Sequence, residues 1–311
     1  MQWNAEIFWF NMLKDLKLTP FLSDAVSLPR KAALFLSGQG SNAEAVLNDL
    51  AESPADYTVS VLVTDAPEKS RARELAARFG LPLIEHDLKK FYAAHGAVST
   101  SLATAEGRRL RELWTEELRS KLADHDVDFG ILAGFMTLCN IAADLPCLNV
   151  HPGDLTVTDE SGRRIFAGLH SGPVEEVLCM PGMDYFRSSV IVVRPFSGDG
   201  AEDMDTGFIL GVSGAVPADR AGRTAEEWGE IRKKRVPGMR VADELRALAL
   251  KNINVLKVLG DHVVLPAVLR RFAAGRYARK GETLFWKMDD GSFREIKTVC
   301  YSPEKEMALW G

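Results

Sequence analysis

The chain is poor in residues that staple or ligate. Its 311 residues include four cysteines: Cys139, Cys147, Cys179 and Cys300. None forms a CxxC pair, and no His/Cys cluster has the spacing of a zinc site, so no metal is expected. Scattered cysteines in a chain of this length read as reduced core residues of a cytoplasmic protein. Positive charge is not in excess either. Lys and Arg number 38 against 43 Asp and Glu, a formal net charge of −5. Such a chain has no global attraction for nucleic acid or an anionic membrane surface, which leaves a small-molecule substrate as the default. No apolar run reaches the length of a membrane span. The N-terminal stretch carries Trp, Phe and Leu, but Asn4, Glu6, Asn11 and Lys14 interrupt it. It lacks the basic and apolar regions of a secretory leader. No internal repeat and no low-complexity segment occurs.

What is present is ordinary globular composition, 46% hydrophobic and 26% charged, enough to bury a sizeable core. Residues 1–30 read as an amphipathic helix and connector, with Trp3, Ile7, Phe10 and Leu13 on one side. An α/β rhythm begins at Lys31. Short apolar runs at 32–36, 57–63, 81–84 and 128–133 read as buried strands, and helical patterns at 42–50, 69–79 and 106–122 separate them. Parallel strands with helical crossovers follow, hence an α/β class with a Rossmann-like open, mostly parallel sheet and helices on both faces. After that, 147–150, 189–193 and 208–212 are strand-like with little helix between them, some of them candidates for antiparallel addition. Residues 213–255 read as a helical insertion, and Thr224 with Glu227 suits a capping box. Helix returns at 254–274. A small C-terminal β-hairpin, 283–288 and 293–299, turns at Asp289-Asp290-Gly291. The chain thus divides into an N-terminal extension (1–30), a catalytic domain (31–212), the insertion (213–255) and a completing helix with hairpin (256–311).

Three segments could carry chemistry. The loop Ser37-Gly38-Gln39-Gly40-Ser41-Asn42 joins a strand to a helix, where backbone N–H groups and the helix N-terminus favour an anion. It is neither a dinucleotide fingerprint, since Ala43 replaces the third glycine, nor a Walker loop. By itself it suits an anion cradle or a tight turn with a serine cap. The segment Asn149-Val150-His151-Pro152-Gly153 closes a strand. Residues i and i+2 share a face, so the carboxamide and imidazole project together, a pair suited to acyl transfer. A loop histidine beside a turn-capping asparagine is the plainer reading of that segment. In Asp203-Met204-Asp205-Thr206-Gly207, a carboxylate before a strand could orient an imidazole or cap a solvated turn.

Taken in order, SGQGSN, LAGFM (132–136), LNVHP (148–152), GLH (168–170) and DTGFIL (205–210) resemble the folate-dependent formyltransferases, nearest to the branch that formylates glycinamide ribonucleotide in purine synthesis. The resemblance runs from about Lys31 to Tyr277. It implies 10-formyltetrahydrofolate as co-substrate and a catalytic trio of Asn149, His151 and Asp205. In that scheme Asn149 and protonated His151 stabilise the oxyanion, and Asp205 holds the imidazole. It implies an acceptor site at Gly38, Gly40, Ser41, Asn42, Arg111, His170 and Asp261. A folate wall follows at Phe135, Met136, Thr137, Leu138 and Cys139. It further implies a monomer or homodimer with small-molecule partners. The sequence departs where the family continues His-Pro with Ser-Leu-Leu-Pro, since Gly153-Asp154-Leu155-Thr156 stands here. It also departs at Thr137 and Ile191, where Arg and His are common, and at Asp261, where Glu is usual. Altered walls around a kept trio bear on the acceptor more than on the reaction. The alternatives are an amino sugar nucleotide or methionyl-tRNA as acceptor, water as acceptor in a formyltetrahydrofolate hydrolase, and a non-catalytic folate- or nucleotide-binding protein. The basic run Arg232-Lys233-Lys234-Arg235 lies beside Glu226, Glu227 and Glu230 and reads as a solvated helix face.

Overall fold

Alternation within the first buried strand decides the architecture. In β2 (Arg30–Phe35), Ala32 and Leu34 face one core cluster while Ala33 and Phe35 face another, and all four are fully buried. A strand apolar on both faces needs cover on both, which parallel strands with crossover helices supply. The computed structural model describes residues 17–23, 26–195, 205–236, 242–304 and 307–311. The helix expected over the first residues lies outside them.

Strands β3 (Tyr57–Thr64), β4 (Leu83–Glu85), β5 (Phe129–Leu132) and β6 (Cys147–His151) join β2 in one parallel set. Next to β6 lies β8 (Ser189–Val192), antiparallel to it and to β9 (Ile209–Ser213). Then come β14 (Thr298–Tyr301), parallel to β9, and β15 (Met307–Trp310), antiparallel to β14. The nine-stranded order is β15-β14-β9-β8-β6-β5-β2-β3-β4. The chain runs outward from β2 through β3 to β4 and returns to β5, so the direction of winding switches between β2 and β5. Loops diverge at that switch point and leave a crevice beyond the carboxyl ends of the strands.

Helix α1 (Ser41–Glu52), helix α2 (Ala72–Phe79) and helix α8 (His262–Ala273) cover one face through Val46, Leu47, Leu75, Val268 and Phe272. Helices α3 (Leu88–Ala94) and α4 (Ala105–Leu122) cover the other through Leu88, Tyr92, Leu110, Trp114 and Leu118. Helix α5 (Gly172–Cys179) packs with α6 (Ala225–Lys233) and α7 (Glu244–Leu256) around a third cluster that includes Phe166, Trp228 and Leu245. The expected capping box opens α6, with both the Thr224 and the Glu227 halves made.

Two expectations change. Segment 213–255 is not peripheral throughout: α7 runs on through a π turn, Lys257–Asp261, into α8, forming one helix, Glu244–Ala273, of 30 residues. That helix is long and apolar enough to cross a membrane, but 56% of its most apolar window is buried against the rest of the chain, as a core helix would be. The run 293–299 is not one strand. Its first part is β13 (Phe293–Ile296), which pairs with β12 (Thr283–Lys287). Together with β1 (Thr19–Pro20) and β11 (Tyr277–Lys280) these form a separate four-stranded antiparallel sheet. At Lys297, whose N–H donates to Trp310 O at 2.6 Å, the chain leaves that sheet and enters the large one as β14. Short strands β7 (Tyr185–Phe186) and β10 (Val216–Pro217) make a two-stranded ribbon.

Phe129 is fully buried between the rings of Tyr57, at 5.8 Å, and Phe272, at 5.6 Å. It joins a central strand to the covering helix α8. Truncation leaves a cavity that neither strand nor helix can close, so Phe129→Ala should lose about 3–5 kcal/mol of stability, measured as a lowered urea midpoint with unchanged slope.

Candidate active site

The carboxyl ends of β2, β5 and β6 open on one cleft of about 420 Å³. Glycines 38 and 40, Gln39, Ser41 and Asn42 line it after β2. Gly134, Phe135, Met136 and Leu138 line it after β5, and Asn149 and Pro152 at the end of β6. Asp205, far along the chain, reaches the same cleft, as do Leu169 and His170. The wall opposite is helical, with Arg246, Leu250 and Ile253 of α7, then Lys257 and Asp261 of the π turn. The first four of these recur at spacings of four, three and four, one face of a helix.

The glycine loop folds as its residues dictate. Gly40 caps α1 at φ 66°, and a methyl group there would stand 2.8 Å from Leu36 Cδ1. Only glycine combines that left-handed backbone with that closeness. The first turn of α1 opens on the cleft, where unpaired N–H groups and the helix dipole favour an anion. Asn42 is committed differently from the expectation. Its Nδ2 donates to Asp261 Oδ2 at 2.9 Å, and its Oδ1 is buried without a partner. Asp261 also accepts from Ser188 Oγ. Burial pushes its carboxyl above the usual aspartate range, against the two hydrogen bonds that favour the charged form.

The trio converges. His151 Nδ1 lies 3.6 Å from Asp205 Oδ2, and Gly168 N donates to the same Asp205 oxygen at 3.2 Å. Arg164 holds the Asp205 segment from behind, donating to the carbonyls of Asp205 and Gly207, the latter at 2.7 Å. Sequence reading missed Arg164. A guanidinium serving backbone carbonyls leaves no motif, although its place just ahead of the GLH triplet is a positional hint. His151 is 4% exposed and lies beneath the cleft floor, with Nε2 2.7 Å from Phe166 O. The trio members that line the cleft are Asn149 and Asp205.

Other expected residues divide in the same way. Phe135, Met136 and Leu138 form an apolar wall with Leu250 and Ile253 opposite, a slot suited to a flat ring system. Thr137 and Cys139 turn into the protein instead. The first donates to Asp65, and the second packs beside Trp114 in the core. Arg111 does not line the cleft. It is 7% exposed, donates to Leu138 O at 2.6 Å and Thr100 O at 2.9 Å, and lies over the Tyr92 ring. It braces the loop after β5 from inside. His170 reaches the cleft from a left-handed backbone position, φ 59°.

Residues 30–155 match the family described as formyl transferase. The match spans β2 to β6 and therefore both the glycine loop and the Asn149/His151 pair, so over this part the chain is similar to the formyl transferases. A phosphoribosylglycinamide formyltransferase of Bacillus subtilis is 28% identical over 184 residues, 57% of this chain and 84% of that protein. Among solved structures, the phosphoribosylglycinamide formyltransferase of Coxiella burnetii superposes with a TM-score of 0.56 at 17% identity, covering 88% of this chain and 99% of that one. A glycinamide ribonucleotide transformylase from Symbiobacterium toebii gives 0.50 at 20%, covering 81% and 92%. At such identities these two structures speak for the fold. Formyl transferases of this family take their formyl group from 10-formyltetrahydrofolate.

The Asp261 carboxyl gives a pH test. Its folded pKa is raised, so the folded chain binds that proton more tightly than the unfolded chain does. The resulting stability is fully present below the ordinary aspartate pKa and is lost as pH rises through the raised value. Asn at this position carries no charge at any pH. From about pH 4 upward, urea unfolding of Asp261→Asn should therefore gain on the unsubstituted protein until the pH has passed the raised value. A constant difference across that range would contradict the assignment.

Proposed function

We propose that the chain transfers a formyl group from 10-formyltetrahydrofolate to the amine of a small phosphorylated acceptor, glycinamide ribonucleotide foremost. One observation carries the reading: Asn149 and Asp205 line the same cleft as the glycine loop at the N-terminus of α1. An anion-holding end and a carboxamide–carboxylate pair then lie within one substrate length. The apolar slot between Phe135, Met136 and Leu138 and the face of α7 suits the pterin of the donor. The acceptor's phosphate takes the Gly40–Ser41 end, aided by Lys257, and its amine approaches Asn149.

The chemistry follows from charge. Amine attack on a formyl group puts negative charge on the formyl oxygen and positive charge on the nitrogen. The Asn149 carboxamide donates to the first, and the Asp205 carboxylate, braced by His151 and Gly168 N, receives the proton of the second. No covalent enzyme intermediate is needed, since the acceptor is itself the nucleophile.

A second reading, with another amine such as an amino sugar nucleotide or methionyl-tRNA, draws on α7. Arg246 and Leu250 belong to the helical insertion read at 213–255, and they line the cleft. An acceptor larger than glycinamide ribonucleotide would meet them. Hydrolysis of the donor, with water in place of the amine, leaves the glycine loop without a task.

A panel of amines assayed by release of tetrahydrofolate decides among these. Transfer to glycinamide ribonucleotide is expected, with Asn149→Ala and Asp205→Asn each losing on the order of 10²–10³ in kcat while donor affinity is kept. Tetrahydrofolate release that needs no amine would instead identify a hydrolase.

A further inference from the structure

We infer that His151 carries protons through Nδ1 and Asp205 and not through Nε2, and that Gly153 enforces this by admitting the Phe166 carbonyl onto Nε2. The inference rests on the formyl-transfer reading for its consequence in turnover, but its structural half stands without substrate.

A carbonyl oxygen can only accept. With Nε2 2.7 Å from Phe166 O, that nitrogen must carry a hydrogen whether the ring is neutral or charged. Phe166 cannot drift away. Its side chain is fully buried against Val174 and Leu178. The preceding residues are tied as well, Ile165 N to Val157 O at 3.1 Å and Arg164 to two carbonyls.

Residue 153 sits between the two partners. A methyl group on Gly153 would stand 2.5 Å from Phe166 O and 3.0 Å from His151 Nε2. Backbone conformation does not demand glycine here; only space does. Nor can the turn retreat. Gly153 N donates to His151 O at 2.9 Å, and Gly153 O accepts from Ser189 Oγ at 2.7 Å. Any side chain at 153 must therefore push the carbonyl or the imidazole out of place.

With Nε2 committed, the one nitrogen free to gain or lose a proton is Nδ1, and it faces Asp205 Oδ2 at 3.6 Å. Asp205 lines the cleft and His151 does not, so a proton passing between His151 and a substrate crosses Asp205. In formyl transfer, the amine lone pair forms the new C–N bond and the carbonyl π pair moves onto oxygen, opposite the Asn149 amide. The nitrogen's proton passes to Asp205 and on to Nδ1. On collapse the oxygen pair re-forms C=O, the bond from carbon to the donor nitrogen breaks with its pair on that nitrogen, and the stored proton neutralises it. His151 thus serves as a positioning residue and proton reservoir acting through Asp205, while Gly153 and the Phe166 carbonyl set its tautomer.

The test uses the full chain with ¹⁵N-labelled histidine. Long-range ¹H–¹⁵N correlation spectra report which ring nitrogen is protonated, and His151→Gln assigns the signal among the six histidines. Expected is a His151 ring that carries its hydrogen on Nε2 in the folded protein. Gly153→Ala and Gly153→Ser should lose that pattern. They should also lower kcat on the order of 10², with KM for both substrates retained. A neutral His151 protonated on Nδ1 in the unsubstituted protein overturns the inference, and that measurement stands even if neither variant folds. A folded Gly153→Ala with unchanged tautomer and unchanged kcat overturns it too. Absence of transfer to every amine by the unsubstituted protein would defeat the functional reading alone, since the tautomer is read without substrate.

Discussion

The buried carboxylate of Asp261 ties together three parts of the chain that lie far apart in sequence. It leaves the π turn between α7 and α8, takes the Asn42 amide from the start of α1 and takes the Ser188 hydroxyl just ahead of β8. The π turn is what aims it. One extra residue in the turn breaks the regular helical register and swings a side chain toward the cleft. Gly260 makes room, since a methyl group there would stand 2.6 Å from Ser188 Oγ. The glycine loop, the long helix and the antiparallel half of the sheet thus meet at one buried carboxyl. An unpaired carboxylate at that depth would be costly, and its two donors are what make the position tenable.

Much of this was legible in advance because it is periodic. Strands β2, β3, β5 and β6 are short apolar runs buried on both faces, and their separation by helical patterns leaves few topologies. The edge that carries the site followed from the topology as well, since parallel strands put all their carboxyl ends on one side. Asn149 lines the cleft, whereas His151, two residues on and expected to project with it, is buried and does not. What the sequence did not disclose depends on direction and not on period. Arg111 was expected at the acceptor site, yet its guanidinium turns inward to two carbonyls. Thr137 and Cys139 alternate with Met136 and Leu138 along one loop, and the alternation buries them as it does Phe135. The break at Lys297 could not be seen because 293–299 is uniformly strand-like, and the two sheets compete for it by tertiary contacts alone.

The insertion changes what the cleft is. A segment that reads as polar and helical supplies, in α7, the apolar cover over a third core cluster and also one wall of the site. Leu245, Leu248 and Ala249 belong to the cluster shared with α5 and α6, Arg246 and Leu250 line the cleft, and Ile253 does both. One helix therefore senses both the packing of the added helices and the content of the cleft. Under the proposed formyl transfer, acceptor preference would depend on that shared helix as much as on the loops around Asn149 and Asp205.

The split of residues 293–301 between two sheets has a consequence for how the chain is assembled. Strand β9 keeps a bare edge until residues 298–301 exist to pair with it, through Cys300 against Val212 and Tyr301 against Ser213. During synthesis strands β2 to β9 and the long helix are therefore made while the β9 edge is still unpaired. An open edge of buried-type residues is a template for the wrong partner. The same crossing later stitches the small sheet to the large one, so the last strands both close the edge and lock the two sheets together. Disruption near Lys297 should be felt first as aggregation of nascent chains, before any effect on the chemistry of a folded site.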